Sequence, residues 1–113
     1  MKRLLLSLLF VGIFTNVSHA LTEEQIAALS YVGQVSAYEQ VCSRIKVNLE
    51  NVDRIIMING LDLNDPLQNA LAKSEAEEVI AAGRRRGEEA ACASAMVIYG
   101  PMGSNVPGLL SWK

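Results

Sequence analysis

The sequence predicts an all-α fold: a small disulfide-stapled bundle of three to four helices with an irregular Gly/Pro-containing C-terminal tail. Three observations carry that expectation. Apolar residues recur at steps of three and four over long stretches. Helix-start patterns stand at Thr22 and Asp65. Two cysteines, Cys42 and Cys92, sit in a chain whose first residues have the layout of an export leader.

That leader spans residues 1–20. Lys2 and Arg3 form a positive start, Leu4 to Phe14 an apolar run too short to cross a bilayer, and Ser18-His19-Ala20 a small-residue cleavage site. Cleavage after Ala20 leaves 93 residues, destined for the periplasm or for secretion. Those residues include no apolar run near the length of a membrane span, so the mature chain is expected to carry no transmembrane segment. They also hold no histidine, since His19 is the only one in the sequence. A Ser-His or Cys-His nucleophile pair and a histidine metal site are thereby excluded from the mature chain. Loss of Lys2 and Arg3 leaves eight basic against twelve acidic residues, a net charge of −4. An acidic chain is a poor partner for nucleic acid.

Ninety-three residues support one core, and an oxidising compartment makes Cys42–Cys92 the single intramolecular disulfide available. The elements follow in order. Thr22 with Gln25 forms a capping box, and Ile26, Leu29, Val32, Val35, Tyr38, Cys42, Ile45 and Leu49 follow at helical spacing. Asn48 either caps a second helix over Leu49 to Ile58 or is passed by the first one. Asn59-Gly60 supplies a stop. The Arg54–Ile58 run is read as helix rather than strand, for want of a partner strand. Asp65-Pro66 starts a third helix. Asp62, Asn64 and Asp65 are not a calcium loop, because no glycine takes the sixth position and Lys73 stands at the twelfth.

Ser74 with Glu77 reads as a further capping box, predicting a fresh or redirected helix from about Glu75 to Tyr99, stopped by Gly100-Pro101. Gly83, Gly87, Ala91 and Ala95 recur on one face as positions of close helix packing, approached by the middle helices or the tail. Cys92 lies on another side, against the first helix. Ala90 to Tyr99 has no charge, which predicts enclosure on most sides. Arg84, Arg85 and Arg86 are expected on a solvated surface, with Arg84/Glu88 and Arg85/Glu89 paired four residues apart. The tail carries Leu109, Leu110 and Trp112, so the domain organisation is leader 1–20, helical domain 21–99 and tail 100–113 packed on the domain.

The stretch CASAMVIYGPMGSNVPGLL resembles the closing segment of small uncharacterised exported helical proteins of alphaproteobacteria, which combine a leader, two widely spaced cysteines and a leucine pair after a glycine-containing turn. The matching positions are Cys42, Cys92, Gly100, Leu109 and Leu110. That resemblance implies no activity. In layout the chain is also similar to the acid-resistance chaperones of the enteric periplasm, small helical proteins closed by one disulfide, although their tryptophan-cysteine context is absent around Cys42.

The functional expectation is a non-enzymatic exported protein that acts through its surface on a protein partner in the cell envelope, as chaperone, inhibitor or accessory subunit. It needs no cofactor and no metal. Arg84, Arg85, Arg86 and Trp112 are the candidate partner surface. A structural envelope component is the alternative, and an enzyme without histidine would have to use a tyrosine or carboxylates such as Glu39, Glu50 or Asp53.

Overall fold

The computed structural model describes residues 20–113. The expected leader therefore lies outside the described residues, apart from its last residue, the exposed Ala20. The described elements run α1 (Glu23–Val41), β1 (Ile45–Val47), α2 (Leu49–Ile58), α3 (Pro66–Arg86), α4 (Glu88–Tyr99) and β2 (Leu110–Trp112). The fold is a small all-α one with a disulfide and one short two-stranded sheet. No helix among the described residues is long and apolar enough to cross a membrane.

The capping box forms as the sequence predicts: Gln25 N–H donates to Thr22 Oγ1 at 3.1 Å, and Thr22 N–H to Gln25 Oε1 at 3.0 Å. Helix α1 does not continue along the whole apolar stripe. It stops at Val41, Cys42 is extended, Ile45 enters β1, and Leu49 opens α2 with 69% of its surface exposed. The backbone released from the helix finds other partners. Val47 N–H donates to the Glu39 carboxylate at 3.1 Å, and β1 pairs antiparallel with β2, Ile45 opposite Trp112, Lys46 opposite Ser111 and Val47 opposite Leu110. Part of the irregular tail is thus a strand. Branched Ile45 and Val47 suit one.

Asn48 caps α2 through Asn51 N–H, and Asn59-Gly60 ends it, with Gly60 at φ 62°. Asp65 accepts from Gln68 N–H at 3.1 Å and Pro66 takes the first turn of α3. The helix start predicted at Ser74 is absent. Alanines, leucines and glutamates on both sides propagate the helix, and nothing in that stretch interrupts it. The interruption comes instead at Gly87, which splits the single late helix into α3 and α4.

Close approaches fix the helix directions. A Cβ on Gly33 would overlap the Ala72 carbonyl oxygen, and one on Gly83 would stand 2.8 Å from Val41 Cβ. Contacts thus climb α1 and α3 together, so these two helices are parallel. Helix α4 runs the other way along α1: Cys92 is bonded to Cys42, with Cα atoms 5.2 Å apart, while the later Tyr99 donates its hydroxyl to the earlier Gln34 at 2.5 Å. The small-residue side of α3 therefore meets α1, not the middle helices or the tail.

Val35, Cys42, Ile45, Val52, Cys92, Ala95, Tyr99, Leu109 and Leu110 form the core cluster. On α4 the buried positions Ala91, Cys92, Ala95 and Tyr99 make one stripe, while Ala93 and Val97 face solvent, Val97 at 64%. The uncharged half of the helix is therefore covered on most sides, as expected: from Ala90 to Tyr99 only Ala93 and Val97 are exposed, one narrow stripe, and Met96 and Ile98 pack against the core.

Candidate functional site

The sequence concentrates charge where α3 gives way to α4, and local geometry explains what becomes of it. Gly87 adopts φ 95° and ψ 163°, a backbone region essentially reserved for glycine. Its N–H closes α3 on Gly83 O at 2.8 Å, and its carbonyl opens α4 by accepting from Ala91 N–H at 3.0 Å. One residue thus reverses the chain. Nothing lies within 4 Å of a Cβ placed on Gly87, so of the two glycines read as packing positions only Gly83 packs.

This break removes the helical register that would set Arg84 opposite Glu88 and Arg85 opposite Glu89. Neither pair forms. Among the described residues the ion pair present is Glu50–Arg54 on α2, at 3.6 Å. Glu88 turns instead to the α1–β1 connection, accepting from both the backbone N–H and the hydroxyl of Ser43 at 2.7 Å. Those two donors, the backbone one foremost, hold its carboxyl below the ordinary range, helped by the Arg44 charge. Arg84, Arg85 and Arg86 are all exposed in the last turn of α3, where their charge also complements the helix dipole.

Beside this turn the three helices leave a cleft of about 150 Å³. Its apolar wall comes from Val79 and Ala82 on α3 and Ala90 and Ala91 on α4. Tyr38 of α1, Arg86 and, two turns before it on α3, Glu78 also line it. Burial pushes the Tyr38 hydroxyl up in pKa, against a smaller opposing effect of the Arg86 charge. It is therefore a neutral donor at physiological pH. In the sequence Tyr38 belongs to the core stripe, and nothing there marks it or Glu78 as a site residue. Helical spacing identifies Tyr38 as inward-facing but says nothing of the hydroxyl's surroundings.

Trp112 belongs to a neighbouring surface. Half exposed, it packs its ring 5.8 Å from the Arg44 guanidinium, and Arg44 in turn acts on Glu88. The candidate partner residues therefore share one end of the bundle, with Arg44 and Glu88 between them. Cys42 and Cys92 are bonded and buried to 0% and 1% exposure, which withholds the sulfurs from chemistry at the surface. Of the carboxylates considered for acid-base work, Glu39 holds Val47 N–H and Glu50 pairs with Arg54, while Asp53 is exposed. The chain matches no protein-family model, no curated protein and no solved structure.

Proposed function

We propose that this is an exported, non-enzymatic binding protein that engages a protein partner in the cell envelope through the end of the bundle where α3 meets α4. One observation carries the reading: the break at Gly87 leaves Arg84, Arg85 and Arg86 exposed with no carboxylate within ion-pair reach among the described residues. Three adjacent guanidiniums without internal partners are suited to carboxylates supplied from outside. The disulfide-closed frame and the leader-like start are in keeping with a periplasmic or secreted protein. Chaperone, inhibitor and accessory-subunit roles all use such a surface.

Crosslinking in living cells, comparing the native chain with one carrying Arg84→Glu, Arg85→Glu and Arg86→Glu, tests the reading. Loss of one specific partner is expected. An unchanged set of crosslinked partners overturns it, and recovery of the protein from the cytoplasmic fraction overturns its exported character.

A further inference from the structure

The two ends of the bundle differ in charge. Helices α1 and α3 are parallel, and their starts come together with the end of α2: Gln25 Nε2 donates to Asn59 O at 2.9 Å, and Gln25, Gly60, Asp62, Asp65 and Leu67 line one hollow. Glu23 and Glu24 stand exposed in the first turn of α1 beside it. The sequence has no Lys or Arg from Ala20 to Ser43 or from Asn59 to Ala72, and Arg54, the basic residue of α2, is paired with Glu50. This end therefore carries four carboxylates, and one amino group freed by cleavage after Ala20 still leaves three in excess. At the opposite end Val41 packs on Gly83, 16 residues or about 24 Å along α1 from Gln25. There Arg84, Arg85 and Arg86 follow, exposed and without a carboxylate within ion-pair reach among the described residues.

Helix dipoles favour acid at helix starts and base at helix ends, which accounts for the charges alone. They do not account for what accompanies the charges. The acidic end exposes large apolar side chains, Met57 at 76% and Ile58 at 74% in the last turn of α2, with Leu67 and Ile26 about half exposed. Within about two turns of the arginines, the cleft lined by Val79, Ala82, Ala90 and Ala91 is an apolar recess that Arg86 borders. Its volume of about 150 Å³ is that of a cavity able to hold one benzene ring, so one apolar side chain fills it. Glu78 borders it too, outnumbered by the three guanidiniums in the last turn of α3.

Exposed apolar side chains among carboxylates at one end, and a recess for one side chain beside unpaired guanidiniums at the other, are complementary in charge and in polarity. Resting on the reading of the α3–α4 end as a partner surface, we infer that the partner is a second copy of this chain, docked head to tail. Met57 or Ile58 of one copy enters the cleft of the next, and the carboxylates of Glu23, Glu24 and Asp62 meet Arg84, Arg85 and Arg86. The two surfaces differ and lie at opposite ends, so the contact is heterologous and propagates into an open row of copies instead of closing a dimer.

The test is sedimentation velocity of the purified chain between about 10 µM and 1 mM, the range of weak contacts. Species larger than a monomer should grow with concentration, and ~0.5 M salt should dissolve them. Reversing the basic end (Arg84→Glu, Arg85→Glu and Arg86→Glu) or the acidic end (Glu23→Lys and Glu24→Lys) should each weaken association by about tenfold or more, and Met57→Gln with Ile58→Gln should weaken it likewise. All these side chains are exposed, so the variants keep the fold, and an unchanged thermal midpoint confirms it. The two reversed chains should associate when mixed, because the native acidic end of one still fits the native arginine end of the other. Monomer at every concentration, association that survives arginine reversal, or reversed chains that ignore each other on mixing overturns the head-to-tail assignment. If the native chain stays monomeric while arginine reversal still removes a partner in cells, the second copy is wrong and the partner surface stands. Arginine-dependent association of the purified chain with an unchanged set of cellular partners keeps the contact between copies and removes the cellular partner.

Discussion

At the scale of single residues, three glycines perform three different tasks. Gly33 lets α1 touch the backbone of Ala72, and a methyl group there would overlap a carbonyl oxygen that cannot rotate away. Gly33→Ala should therefore destabilise the protein by about 1–3 kcal/mol, the usual cost of overpacking, read as a lower urea midpoint. Gly83→Ala would press on Val41 Cβ and both its methyls, all within 2.9 Å, and a Cβ moves only with its helix backbone, so a loss of similar order is expected in the same measurement. Gly87 has open space around it but a positive φ. Gly87→Ala should cost about 1 kcal/mol through backbone strain alone, and should not be rescued by truncating any neighbour. Sequence periodicity marks Gly83 and Gly87 as equivalent. They differ because the break at Gly87 turns the second one off the packing face.

Among elements, the joints decide the architecture. Glu88 ties the start of α4 to the α1–β1 connection through Ser43. Because its folded pKa lies below the ordinary value of 4.5, its contribution to stability is full above about that pH and is lost as pH falls through the lower folded value. The gap in thermal midpoint between the native chain and Glu88→Gln should accordingly be constant at neutral pH and close in acid. A gap that persisted unchanged down to pH 2 would show that the carboxylate charge is not what holds the joint. The strand pair is a second joint. Leu110 is fully buried opposite Val47, so Leu110→Ala should cost about 2–5 kcal/mol in urea unfolding, whereas the half-exposed Trp112 should be far more tolerant. Neither joint was legible in the sequence. Each strand has three residues, too few to show alternation, and they are joined only after some sixty intervening residues.

For the molecule as a whole, the disulfide closes a loop covalently between Cys42 and Cys92, a sequence separation of 50. By loop-closure entropy it should contribute about 4 kcal/mol, comparable with the net stability of a small domain. Replacing both cysteines by alanine, or unfolding under reductant, should lower stability by that order, and a change under 1 kcal/mol would place the fold's stability elsewhere. About two turns from the staple a polar chain joins three helices: Tyr99 to Gln34, Gln34 to Ser30 at 3.1 Å, and Ser30 to Glu75. Burial pushes the Tyr99 hydroxyl far up in pKa, so it stays a donor at every pH the protein meets.

What the sequence by itself determined is local. The helix starts at Thr22 and Asp65 and the stops at Asn59-Gly60 and Gly100 depend on a cap or a turn residue within a few positions, whereas the start at Asn48 competes locally with a continuous first helix. The one available disulfide follows from counting cysteines. What only the tertiary structure decided is wherever two readings of the same local pattern compete. Ser74 has a cap's spacing but stays inside a helix, because the helix-forming residues around it carry the helix on and α1 packs along α3 on both sides of it at Ala72 and Gly83. Ile45 has a helix's spacing but joins a strand, because β2 arrives from the far end of the chain. The candidate site belongs to this second kind. Arg84, Arg85 and Arg86 lose their neighbours to a break at Gly87, and the cleft that Arg86 borders exists only where α1, α3 and α4 meet. Local signals fix where helices begin and end, but a concavity is made by contacts between residues far apart in sequence, which no spacing encodes.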